Sequence, residues 1–192
     1  MKYFAITLPA LALLAACGGS TETSTTATNT VTTTEISTES NSGTNNAMIA
    51  TPAMTGQQFA DAAASTDAFE IAAGKLARDK GSTDAIRDFG TMMIDNHTES
   101  TSQLNAAAGA ASPAIAPNPE FTPQQEADLQ QLRNATGTDF DKIYRTLQIV
   151  AHQKALATLE TYGASGGVPE LKLWAAKTAP VVRKHLDALR GM

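Results

Sequence analysis

From Gln57 onward the apolar side chains recur at intervals of three and four residues, the spacing that gathers them on one side of an α-helix. Four long stretches carry this pattern. The first runs from Gln57 to about Lys80 on a stripe of Phe59, Ala63, Thr66, Phe69, Ala73 and Leu76, with Thr55 and Gln58 in capping-box relation before it and Gly81 after it. The second runs from about Thr83 to Ala108 on Ile86, Phe89, Gly90, Met93, Ser100 and Leu104. The third starts at Thr138, with Asp141 placed to share its cap, and continues to about Tyr162 through Phe140, Tyr144, Leu147, Ala151, Ala155 and Leu159. Gly163 to Gly167 should break the chain. Pro169 then opens the fourth stretch, whose stripe is Leu171, Trp174, Thr178, Val182, His185 and Leu189, and in which Pro180 should introduce a bend just before His185.

Between the second and third stretches, Pro113, Pro117 and Pro119 predict a loop, and Thr122-Pro123-Gln124-Gln125 predicts a capped short helix reaching about Asn134. Alternation of β-branched residues is absent, so the domain reads as all-α. Stretches of about 20 to 25 residues make helices of roughly 30 to 37 Å, matched in length well enough to form a four-helix bundle. The connection holding the short extra helix is long enough to cross that bundle from end to end.

Ahead of the helical part, Met1-Lys2 is a short basic start, Phe4 to Ala15 an apolar run too short to span a bilayer, and Leu14-Ala15-Ala16-Cys17 resembles a bacterial lipobox. Residues 1–16 are expected to be a lipoprotein signal peptide and Cys17 the site of lipidation. Because Cys17 is the only cysteine, no intramolecular disulfide can form. Gly18 follows it where an aspartate would argue for inner-membrane retention, so the expected location is the cell envelope, lipid-anchored in the outer membrane and facing the periplasm. The rest of 17–56 is rich in Thr, Ser and Asn and poor in large apolar side chains, the composition of a disordered tether. Folding should be confined to 57–192. The net charge of −5 is mildly acidic and leaves no basic footprint for nucleic acid; the expected partner is the membrane, through the lipid.

Four ionisable side chains interrupt the apolar stripes. Glu70 lies between Thr66 and Ala73, where an unpaired carboxylate is costly; His97 and His185 are central in their stripes; His152 lies on a shoulder and is the least clearly inward. Asp95, two residues before His97, points away. Three imidazoles and a carboxylate are a ligand set for one divalent transition metal, zinc or iron, with copper or nickel also compatible. The competing reading is a polar core in which the histidines bond to Glu70, backbone carbonyls or hydroxyls and hold the helices in register. Axial levels counted from the turns differ by up to about eight residues, roughly 12 Å at 1.5 Å rise. That spread leaves one compact site and two separate pairs equally open. Nothing points to nucleophilic catalysis: no serine stands in a nucleophile elbow, Tyr144 and Trp174 read as core, and Asp139 and Asp141 as caps.

The segments Phe69-Glu70-Ile71-Ala72-Ala73-Gly74-Lys75-Leu76-Ala77, Phe89-Gly90-Thr91-Met92-Met93-Ile94-Asp95-Asn96-His97-Thr98, Gly137 to Tyr144 with His152, and Ala179-Pro180-Val181-Val182-Arg183-Lys184-His185-Leu186 resemble a bacterial ferritin-like family catalogued as domain of unknown function four-one-four-two. The likeness covers nearly all of 57–192 in order and spacing. It implies a ferritin-like bundle in a secreted or outer-membrane protein, and it brings no assigned reaction. One departure stands out: the family's usual Asp-His pair is Asn96-His97 here. Ferritin-like di-iron centres draw on Glu-x-x-His motifs, whereas Ile94, Ile149 and Val182 stand three residues before the histidines. Di-iron and ferroxidase chemistry are thus disfavoured. On sequence the preferred reading is a non-enzymatic envelope lipoprotein in a binding or structural role, connected with stress; the alternative is a periplasm-facing mononuclear metal-binding protein using Glu70, His97, His152 and His185.

Overall fold

A computed structural model describes residues 53–192. The expected signal peptide, Cys17 and most of the expected tether lie outside that range. Among the described residues there are five helices and no strand: α1 (Gly56–Lys80), α2 (Asp84–Gly109), α3 (Pro123–Asn134), α4 (Gly137–Ser165) and α5 (Pro169–Gly191). None of them is long and apolar enough to cross a membrane.

The caps explain where α1 to α3 start. Thr55 Oγ1 accepts from Gln58 N while Gln58 Oε1 accepts from Thr55 N, and Thr122 and Gln125 repeat the arrangement ahead of α3. Gln125 also bonds Ser65, through its hydroxyl at 2.8 Å and its carbonyl at 3.3 Å, and so fastens α3 to α1. The start of α4 differs from the expected cap. Its N-cap is Thr136, without a side-chain hydrogen bond, and Asp141 instead accepts from Ser82 N at 2.9 Å and from the Ser82 hydroxyl, tying the α1–α2 turn to α4. At its other end α4 continues through Gly163 to Ser165. A glycine inside a helix weakens it by about 1 kcal/mol without removing a backbone donor, so a single one does not terminate a packed helix. α5 is continuous through Pro180, which is exposed, so that the carbonyl left without its N–H partner faces solvent.

α1 and α2 form one antiparallel hairpin, α4 and α5 another, and they meet with α1 against α4 and α2 against α5. Phe59, early in α1, stacks on Tyr162, late in α4, with ring centroids 3.8 Å apart. These two helices are therefore antiparallel, and the end of α2 and the start of α4 lie at opposite ends of the assembly. The segment from Ala110 to Thr136, with α3 inside it, spans that length. α1 and α2 approach closely at Gly74 and Gly90: a Cβ on Gly74 would lie 2.8 Å from Gly90 O, and one on Gly90 2.7 Å from Gly74 O. Only glycine permits backbones this near.

The core falls into two apolar clusters. Phe59, Leu104, Tyr162, Leu171 and Trp174 belong to one; Phe69, Phe89, Phe140, Tyr144 and Leu189 to the other. On each long helix the change from one cluster to the other occurs at buried polar residues: Asp67 and Glu70 on α1, His97 on α2, Gln148 and His152 on α4, His185 on α5.

Candidate metal centre

The polar layer gathers all three histidines. One ring nitrogen from each of His97, His152 and His185 lies within 4.8 Å of the other two. Ring centroids are separated by 6.0, 5.7 and 5.5 Å, so the cluster is a single site and the two-pair alternative drops out. The level count left both arrangements open, and the packing of the helices selects the compact one.

Each imidazole is held by one ring nitrogen and leaves the other without a partner. His97 Nδ1 is 2.7 Å from Asp67 Oδ1, and His97 Nε2 is unpaired. His152 Nδ1 donates to the Gln148 carbonyl at 2.9 Å, and its Nε2 is unpaired. His185 Nε2 is 2.9 Å from the Asn96 side-chain amide, and its Nδ1 is unpaired. Metal-binding histidines are characteristically fixed in this way, by a carboxylate or a carbonyl on the nitrogen remote from the ion. Asn96 can serve in two ways. With Nδ2 donating, His185 carries its proton on Nδ1; with the amide turned over, Oδ1 accepts from Nε2–H and Nδ1 presents a lone pair to the cluster.

His152 corrects the expectation drawn from its stripe. It is 1% exposed, the most deeply buried of the three. The inward face of α4 follows Phe140, Tyr144, Gln148 and His152 at four-residue intervals, and because Gln148 is polar the apolar pattern alone shifts that face by one position. Glu70, also 1% exposed, stands beside the three-histidine set: its Oε1 is 3.7 Å from His152 Nδ1, the nitrogen that already donates to Gln148 O. Neither carboxylate oxygen of Glu70 has a hydrogen-bond partner, nor do the Gln148 amide atoms or the Tyr144 hydroxyl. Asp67, which apolar spacing does not flag, is 4% exposed and joins the layer through His97. The one signal for it was its place three residues before Glu70, on the same face of α1.

Electrostatics sort these groups. Burial raises Glu70 from 4.5 to about 7, against the pull of His97 and the Gln148 amide and helped by the charge of Asp67. Burial, reinforced by His97 and His185, lowers His152 to about 3, with its backbone hydrogen bond to Gln148 opposing; burial and His97 lower His185 to about 4. At His97 burial also works downward, but the Asp67 hydrogen bond and the charges of Glu70 and Asp67 outweigh it, and the net shift is upward. His152 and His185 are therefore neutral near pH 7, and His97 takes a proton most readily of the three.

The donor set fits a transition-metal ion. Tetrahedral coordination at about 2.0 to 2.1 Å sets nitrogens roughly 3.3 Å apart, so a spread of up to 4.8 Å needs a contraction of about 1.5 Å. The protein is thus an all-helical domain with three convergent, buried imidazoles and two buried carboxylates in one layer. A family model described as a domain of unknown function (DUF4142) matches residues 41–192, and the chain belongs to that family. No curated protein and no solved structure matches it.

Proposed function

We propose that the protein binds one transition-metal ion, zinc or iron, through His97, His152 and His185, with Glu70 adjoining as the carboxylate able to swing into the remaining position. The observation that carries this reading is the pattern of ring nitrogens. Three buried rings each have one nitrogen engaged and the other unpaired, and the rings converge. A buried polar atom without a partner is destabilising by about 1 to 3 kcal/mol, and an ion would satisfy three at once. Within this proposal the two helical hairpins and the long crossover make a ferritin-like four-helix bundle. The lipobox-like Leu14-Ala15-Ala16-Cys17 supports lipidation at Cys17, with 17–56 as tether and the bundle held at the outer membrane, facing the periplasm.

Metal analysis of the purified chain tests the proposal. One equivalent of zinc or iron is expected, and a His97→Ala, His185→Ala double variant should lose it. A chain that neither carries nor takes up metal would refute it. The second reading, a polar layer that sets helix register without an ion, draws support from the Asn96, Asp67 and Gln148 contacts, which hold the rings already. It predicts loss of stability in the double variant with no response to metal.

A further inference from the structure

Among the described residues, the buried carboxylates are Asp67 and Glu70, and no lysine or arginine is buried beside them. Asp67 is built into place. Its Oδ1 is 2.7 Å from His97 Nδ1, its Oδ2 is 3.3 Å from the Thr101 hydroxyl, and that hydroxyl is 2.8 Å from the His97 carbonyl, so the carboxylate and ring are braced against the same turn of α2. With Nδ1 fixed on α1, His97 can turn only its unpaired Nε2 toward His152 and His185.

Resting on the metal-site reading above, we infer that Asp67 is a positioning residue of the centre, and that Asp67 and Glu70 together match its fixed charge to a divalent ion over a monovalent one. At mildly alkaline pH, with the imidazoles neutral and Glu70 ionised, the enclosed layer holds two negative charges. A divalent cation cancels them, whereas a monovalent cation leaves one uncompensated. A carboxylate acting through an imidazole lies about 6 to 7 Å from the ion, and in a medium of effective dielectric about 20 it favours the higher charge by on the order of a hundred-fold.

Copper reports this within one site, because the same ion can be held in both charge states. In the full chain carrying Cys17→Ser, which removes the only thiol, the midpoint potential of bound copper is measured by voltammetry at mildly alkaline pH. Asp67→Asn should shift the Cu(II)/Cu(I) ratio toward Cu(I) by about a hundred-fold, about 120 mV at 59 mV per decade, and Glu70→Gln, whose carboxylate can come nearer the ion, by at least as much. Asp67→Glu should keep the wild-type potential. Potentials unchanged in both neutral variants would overturn the inference while leaving the metal site standing; absence of copper, zinc and iron binding in the parent would overturn the site itself. If Asp67→Asn stays helical but holds no copper, recovery of binding in Asp67→Glu supports positioning by the carboxylate, and failure to recover counts against it.

Discussion

Glu70 and Asn96 decide how the layer behaves without and with an ion. In the metal-free fold Glu70 keeps a proton between pH 4.5 and about 7 that the unfolded chain has released. Its contribution to stability therefore falls as pH rises through that window, by about 3 kcal/mol in total at 1.36 kcal/mol per unit. Glu70→Gln should abolish this slope, so that the variant gains about 3 kcal/mol over wild type between pH 4.5 and 7.5 in urea titrations of metal-free protein; a constant difference would contradict the burial account. His152 and His185 act in the opposite sense. Their folded values, about 3 and about 4, lie below the ordinary 6.5, so the stability that comes from keeping them neutral is lost as pH falls from 6.5 toward those values. At His185 the partner is a neutral amide, Asn96. Replacing it by aspartate supplies an acceptor in either orientation, and partners of this kind alter metal affinity by about 10 to 100-fold. Asn96→Asp should accordingly tighten zinc binding by at least about tenfold in competition titrations, and equal or weaker binding would mean that His185 is not a ligand.

Between helices, the contact at Gly74 and Gly90 sets the spacing on which the Asp67–His97 bond depends. Gly90→Ala places a methyl group 2.7 Å from Gly74 O and 2.8 Å from Ala77 Cβ. The gain in helix propensity of about 1 kcal/mol is smaller than the cost of pushing α1 and α2 apart, and a net loss of about 2 kcal/mol is expected in chemical denaturation. Asp141→Ala, which leaves Ser82 N and its hydroxyl without their acceptor, should lower stability by about 1 kcal/mol in the same assay. Helices and caps were legible in the sequence because periodicity, Thr-x-x-Gln boxes and Pro at the first turn are local signals, and they mark α1, α2, α3 and α5 to within a residue or two. The site was legible only in part. His97 and His185 interrupt apolar stripes and announce themselves, whereas Gln148 disguised the inward face of α4 and made His152 look marginal. Asp67 and Asn96 gain their roles from residues 30 and 89 positions away, a relation that helix tilt and packing create and spacing cannot show.

Across the whole domain, an ion at the three histidines would join α2, α4 and α5 at mid-length, which ties ligand occupancy to global stability. A zinc concentration of about 100 times the dissociation constant should add about 2.7 kcal/mol to unfolding, and a chelator should remove it. A melting temperature indifferent to both would argue for a layer that works without metal. Because the histidine layer separates two apolar clusters, cooperativity has a weak plane across the middle of the helices. Backbone amides beside Phe59, Leu104 and Trp174 and those beside Phe69, Phe89 and Leu189 can then open as distinct units in hydrogen exchange, each with its own free energy. Cross-linking of the layer by an ion would make the two halves exchange as one.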